Sequence, residues 1–121
     1  MVRNPVIPSL YAPDIDATVA FYVETLGFKE TGSWAEGEER IWAEVSFGQS
    51  VIWFFANAIE DRPSAAMSGL IYLFVDDVDD TAKALHGKVK LRWGPEDFPY
   101  GLREIGIEDP NGYLLVFAQD I

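Results

Sequence analysis

Apolar and polar positions along the chain fall into the same order twice. After Asp14, the residues Ile15, Val19, Tyr22, Val23 and Leu26 recur at helical spacing on one face, and Gly27 supplies a stop. After Asp77, the residues Val78, Ala82 and Leu85 repeat this face about one turn shorter, with Gly87 as the stop. Both aspartates suit helix caps, and Asp16 adds a carboxylate in the first turn, where the positive end of the dipole favours it. An extended segment precedes each helix, at 5–11 and 69–75. Three more follow each, at 28–34, 39–47 and 50–56, then at 88–93, 102–108 and 113–119, with "DPNG" at 109–112 as a turn between the last two. The predicted order is β-α-β-β-β, twice. It makes one domain over 1–121, with a module at about 1–57, a polar, proline-containing connector at 58–68, and a second module at about 69–121.

Sliding the chain by 63 positions superposes Asp14 on Asp77, Ile15 on Val78, Asp16 on Asp79 and Thr18 on Thr81. Two acidic helix starts of a common kind would explain that match alone. The same offset also pairs Leu10 with Leu73, Arg40 with Arg103, and the apolar strand "VIWFF" with "LLVFA", which points to a duplicated structural unit. A unit of about 60 residues is marginal by itself, so two halves sharing one domain fit the length.

Composition narrows the function classes. With 49% apolar and 14% aromatic residues the chain can fill a core, and it holds no apolar run near the roughly 20 residues of a membrane span. The opening "MVRNPVIPS" lacks the apolar core of a secretory signal, and there is no cysteine for a disulfide, a thiolate metal site or a nucleophile. A cytoplasmic protein is expected. The formal charge of −11 argues against nucleic acid as a partner, and serves solubility or attraction of cations.

The segments "DIDATVAFYVETLGF" at 14–28, "PYGLREIGIEDPNGYLLVF" at 99–117 and "FVDDVDD" at 74–80 resemble the vicinal oxygen chelate superfamily. That superfamily contains glyoxalases, extradiol dioxygenases, fosfomycin-resistance enzymes and bleomycin resistance proteins. The resemblance spans essentially the whole chain. It implies an α+β fold of two βαβββ modules, an open, curled, barrel-like mixed sheet with helices outside and a cavity inside. In the family's metal enzymes, His or Gln from the first strands and Glu from the last strands hold a metal. The matching positions here are Ile7, Trp53, Leu70 and Val116, all apolar, so the resemblance brings no metal, no cofactor and no catalytic residue. His86, at the end of the second helix, suits a solvated, dipole-complementing role.

Strand alternation from these positions drafts the cavity lining. It places Tyr11, Trp42, Glu44, Trp53, Phe55, Tyr72 and Phe74 inward, and Ile52, Phe54, Ile71, Leu73, Leu115 and Phe117 under the helices. For "LREIGIED" at 102–109 two readings stand: the repeat offset turns Arg103 inward, whereas helix-side packing of the isoleucines turns Glu104, Gly106 and Glu108 inward. Both Arg103 and Glu104 are therefore candidate ligand-binding residues. Aromatic faces with scattered carboxylates suit a planar or cationic ligand, and the chain resembles the bleomycin resistance branch, whose members sequester a cationic, planar-tailed antibiotic in grooves shared by two subunits. The leading expectation is a metal-free small-molecule binding protein. The rival is a lyase, isomerase or dioxygenase-type enzyme with displaced ligands drawn from Glu44, Glu104, Glu108 and His86; a third is a metabolite-binding stress or regulatory domain. Phe21, off the first helix's apolar stripe, and the resemblance together lead to the expectation of a homodimer.

Overall fold

A computed structural model describes residues 6–57, 66 and 69–121, so the connector at 58–68, apart from Ala66, lies outside the described residues. The chain divides into two compact units, Met1–Ala65 and Ala66–Ile121. The first holds β1 (Ser9–Tyr11), α1 (Ile15–Ala20), β2 (Lys29–Glu36), β3 (Glu39–Phe47) and β4 (Ser50–Phe55). The second holds β5 (Ile71–Phe74), α2 (Val78–Leu85), β6 (Trp93–Phe98), β7 (Leu102–Glu108) and β8 (Leu114–Asp120). Each is a βαβββ module with a four-stranded mixed sheet, in the orders β1-β4-β3-β2 and β5-β8-β7-β6. The first and last strands of each module run parallel, and the other pairs are antiparallel.

The duplicated helix starts have one physical cause. Asp14 accepts the Ala17 N–H at 3.0 Å and Asp77 accepts the Asp80 N–H at 3.1 Å, while the hydroxyls of Thr18 and Thr81 donate back to the carbonyls of Asp14 and Asp77. The matched motif is thus a cap closed from both sides. The matched arginines are also accounted for. Arg40 bridges Asp16, in the first turn of α1, and Glu30 of β2. Arg103 bridges Asp79, in the first turn of α2, and Asp97 of β6. In each module an arginine ties the helix start to the outer strand.

Beyond Ala20 the first helix widens into a π-helical turn over Phe21–Thr25, in which the Leu26 N–H reaches the Phe21 carbonyl at 3.2 Å. The widening changes the expected stripe. Ile15, Val19 and Tyr22 are buried, but Val23 and Leu26 are only partly so, and Phe21 is half-covered with its ring 5.8 Å from Tyr22. Phe21 is therefore less exposed than its helical-wheel position suggests. Gly27 and Gly87 stop the helices at φ +82° and +78°, a backbone conformation that glycine adopts without a Cβ penalty.

One face of each sheet packs under its helix. In the first module Tyr22 meets Phe28 edge-on at 5.1 Å and Phe54 at 4.9 Å, above Ala43, Val45 and Ile52. In the second, Val78 and Leu85 of α2 are buried, as are Leu73, Ile105, Ile107, Leu115 and Phe117 of its sheet. Each large side chain so buried contributes about 1.5–3 kcal/mol relative to exposure.

The expected strand at 88–93 is displaced. The strand is Trp93–Phe98, because it runs through the Gly94-Pro95 pair that reads locally as a turn. Pro95 is accommodated there because β6 is an edge strand whose register slips between Trp93 and Glu96. The "DPNG" turn forms as expected: Asp109 accepts the N–H groups of Asn111 and Tyr113, each at 2.8 Å.

Candidate functional site

The face of the first sheet opposite α1 is aromatic. Ser9 and Glu44 both pair with Trp53, and Tyr11 and Trp42 both pair with Phe55, so these side chains share one surface. Trp42 meets Trp53 edge-on at 5.4 Å, and Tyr11 lies 5.8 Å from Phe55. The indole of Trp42 lies over Gly32 of β2, where an added Cβ would come within 3.2 Å of the ring. Glu44 sits among these rings as an acceptor. Its Oε1 takes the Thr31 hydroxyl at 2.8 Å, and its Oε2 takes the Trp53 Nε1–H at 2.7 Å. All five residues drafted for this sheet, Tyr11, Trp42, Glu44, Trp53 and Phe55, are brought together.

The second sheet carries a related arrangement around Glu104. In β7, Ile105 and Ile107 pair with Phe117 and Leu115 on the helix side, which turns Glu104 and Gly106 to the face of Tyr72 and Val116. Of the two readings left open for this strand, the helix-side packing of the isoleucines holds. Arg103, a candidate ligand-binding residue, lies on the opposite face from Glu104 and is held by Asp97 and Asp79. Those hydrogen bonds, Asp97 first, outweigh desolvation and hold its guanidinium more firmly protonated than usual. The repeat offset misleads here for a countable reason: four residues separate the pair Ser46–Val51, and five separate its counterpart Glu108–Leu114.

Glu104 is 2% exposed. Its Oε1 accepts the Trp93 Nε1–H at 3.3 Å, and its Oε2 accepts the hydroxyls of Tyr72 at 3.2 Å and Tyr100 at 3.0 Å. The Trp93 indole lies flat against Gly106, where any Cβ would overlap the ring. Tyr72 stacks with Phe74 at 6.3 Å, and Tyr100 stacks on Phe98 at 5.4 Å and 12°. Although Tyr100 is 58% exposed, its hydroxyl reaches inward to Glu104 in a part-buried hydrogen bond. Desolvation there, then the hydrogen bond to Glu104 and the neighbouring Tyr72, hold the phenol above the ordinary tyrosine range. Sequence reasoning identified Tyr72, Phe74 and Glu104 but missed Trp93 and Tyr100. Their signal was the glycine of "EIGIE" and the aromatic turn "FPYG" a few residues before an acid that alternates with the isoleucines of the helix side.

The family's metal-ligand positions do not fit a metal. Leu70 and Val116 offer hydrocarbon, Ile7 likewise, and the one nitrogen of Trp53 is a hydrogen-bond donor already given to Glu44. Among the described residues no group of three His, Cys, Asp or Glu side chains could hold a metal ion. The displaced ligands considered for an enzyme are otherwise engaged or apart: Glu108 pairs with Arg92 at 2.8 Å, and His86 is exposed at the end of α2. An open groove of about 490 Å³ runs beside Asp14, Asp16, Glu39 and Arg40, but it is polar, and its arginine is already shared by Asp16 and Glu30. No helix among the described residues is long and apolar enough to cross a membrane.

Two βαβββ units, each a mixed sheet with one helix on one face and aromatic residues on the other, define a class of duplicated α+β proteins. The family model of the Glyoxalase/Bleomycin resistance protein/Dioxygenase superfamily matches residues 5–117, and the chain belongs to that family. Among solved structures, TioX from Micromonospora sp. ML1 is similar at TM-score 0.80 and 20% identity, over 98% of this chain and 99% of that one. TnmS3, an antibiotic binding protein from Streptomyces sp. CB03234, is similar at TM-score 0.80 and 24% identity, over 99% and 98%. A lactoylglutathione lyase from Agrobacterium tumefaciens is similar at TM-score 0.73 and 20% identity, over 96% and 92%. At these identities the likeness is one of fold, and that fold serves both a binding protein and an enzyme. Among curated proteins, none matches the chain in sequence.

Proposed function

We propose that the chain is a metal-free cytoplasmic binding protein that sequesters a small planar aromatic compound, an antibiotic being the class suggested by TnmS3. The observation that carries this reading is the pair of aromatic sheet faces, each organised around a carboxylate that accepts hydrogen bonds from its rings. The hydrogen bond to Glu104 fixes the edge of Tyr72, on which Phe74 stacks, while both keep apolar surface in solvent: Phe74 is 56% exposed and Tyr72 39%. Exposed, ordered aromatic surface of this kind marks a binding site more often than a core. The apolar occupants of the family's metal positions support the metal-free part, and the charge of −11 favours neutral or cationic over anionic ligands. A homodimer, as in the branch the sequence resembles, belongs to the same reading.

The test is elemental analysis of protein purified without chelators, followed by titration with planar aromatic probes read by tryptophan fluorescence. The expected result is no stoichiometric divalent metal and a saturable change that Trp53→Phe diminishes. One metal per subunit, restored after chelation, would return the protein to the metal enzymes. Folded protein indifferent to neutral and cationic aromatic probes would remove the binding reading.

A further inference from the structure

The three donors on Glu104 are not equivalent. Trp93 comes from β6 and is wedged against Gly106, and Tyr72 comes from β5, where it stacks on Phe74. Tyr100 comes from the turn between β6 and β7 and lies against Phe98, with more than half of its ring in solvent. A surface phenol thus reaches a carboxylate that is itself almost wholly buried. Releasing Tyr100 costs little on its own side, because water satisfies an exposed hydroxyl. On the other side it would leave a buried acceptor short of a donor, a loss that an incoming O–H or N–H repairs.

Resting on the aromatic-binding reading above, we propose that Glu104 is the polar recognition group of the site, and that Tyr100 occupies it as an intramolecular stand-in for the ligand. The ligand class is then a planar aromatic compound bearing a ring hydroxyl or ring N–H. Its donor replaces the Tyr100 hydroxyl on Oε2, and its ring takes the stacking surface that Tyr100 vacates on Phe98. An analogue of the same shape without the donor leaves Tyr100 in place and gains only apolar contact. The firmly held proton of Tyr100 agrees with a strong acceptor at this point.

The probes are 2-naphthol and 2-methoxynaphthalene, compared by calorimetry on the full chain, on Tyr100→Phe and on Glu104→Gln. The wild-type protein is expected to prefer 2-naphthol by only about two- to threefold, because its hydrogen bond to Glu104 is offset by the release of the Tyr100 hydroxyl. Tyr100→Phe keeps the exposed ring but removes the competing hydroxyl, and should tighten 2-naphthol roughly three- to tenfold while leaving 2-methoxynaphthalene unchanged. Glu104→Gln, with its fold checked by circular dichroism, should abolish the preference. Equal binding of the two probes in both the wild type and Tyr100→Phe would overturn the stand-in and leave the aromatic-binding reading intact. A Tyr100→Phe effect of the same size on both probes would do likewise, since Tyr100 would then be part of the platform. Failure of both probes to bind at all would overturn the aromatic-binding reading and this one with it.

Discussion

Replacing Glu104 by Leu and by Gln separates its role as an acceptor from its role as buried volume. Leu removes the acceptor from three donors at once. Tyr72 and Tyr100, residues that are 39% and 58% exposed, can turn their hydroxyls to water. The Trp93 indole cannot: its N–H is donor only, and the ring is pinned by Gly106. One part-buried donor left unpaired costs about 1–3 kcal/mol, and the 3.3 Å length of the bond places the loss toward the lower end. Losing the Tyr72 bond adds up to roughly 1 kcal/mol after water has replaced it, and burying Leu in place of a carboxylate returns part of the total. The expected net destabilisation is about 2 kcal/mol. Gln keeps a carbonyl for Trp93 and offers its amide to tyrosine hydroxyls that can accept as well as donate, so its cost should stay below about 1 kcal/mol.

The decisive measurement is a double-mutant cycle with Trp93→Phe, by urea unfolding followed by far-ultraviolet circular dichroism. In the Trp93→Phe background no indole N–H remains to be orphaned, so Glu104→Leu should cost about 1 kcal/mol less than it does beside Trp93. A coupling energy below about 0.3 kcal/mol, with unchanged m-values, would show that the Trp93 bond does not order this face. Equal losses for Gln and Leu would refute the acceptor argument more broadly.

Gly106→Ala should destabilise by about 1–3 kcal/mol and alter the near-ultraviolet circular dichroism of tryptophan, because the new methyl displaces the Trp93 ring; an unchanged spectrum would contradict the close packing. Arg103→Met should lower stability only slightly, since Arg103 and its two acidic partners are partly solvated, and the loss should shrink in 1 M salt; a salt-independent loss would point to packing instead. Tyr100 is expected to resist ionisation while ordinary tyrosines titrate. The folded state then binds the proton that the unfolded state releases, so stability is complete below the ordinary tyrosine range, near pH 10, and falls as pH rises above it. Tyr100→Phe should lessen that alkaline fall, and the absorbance titration at about 295 nm should lose its latest step.

The parts legible in the sequence are those whose cause is local. A capping aspartate, a threonine four residues on and an apolar stripe declare each helix start, and the two starts match because Asp14 and Asp77 make the same bonds. Alternation in "VIWFF" and "LLVFA" separates helix-side from aromatic-side residues without further help. What escaped depends on register between distant strands. Pro95 concealed β6, since the tolerance of an edge strand for proline is a property of the sheet and not of the segment. One additional residue between β7 and β8 changed the offset of β7 and left the facing of Arg103 and Glu104 open.

Once that one-residue difference is allowed for, the modules still differ at their carboxylates while sharing a frame. Counted from the strand pairs, Glu44 faces Trp53 in the first module, and the equivalent partner of Val116 in the second is Gly106. Trp42 faces Phe55, and the equivalent partner of Ala118 is Glu104. The carboxylate has moved two residues along its strand, onto the position that a tryptophan holds in the other module, and a glycine has taken the place it left. The vacated space is filled by Trp93 from the neighbouring strand, whose indole reaches back to Glu104. Both modules therefore reach the same local chemistry, a tryptophan N–H on a glutamate, through different strands and residues. The two capping motifs match residue by residue because they serve folding, whereas the two faces match only in chemistry. Faces built so differently should not contribute equally to binding, and Trp53→Phe and Trp93→Phe should accordingly weaken a given aromatic probe by unequal factors. Equal factors for both across several probes would mean that the two faces remain interchangeable despite their different construction.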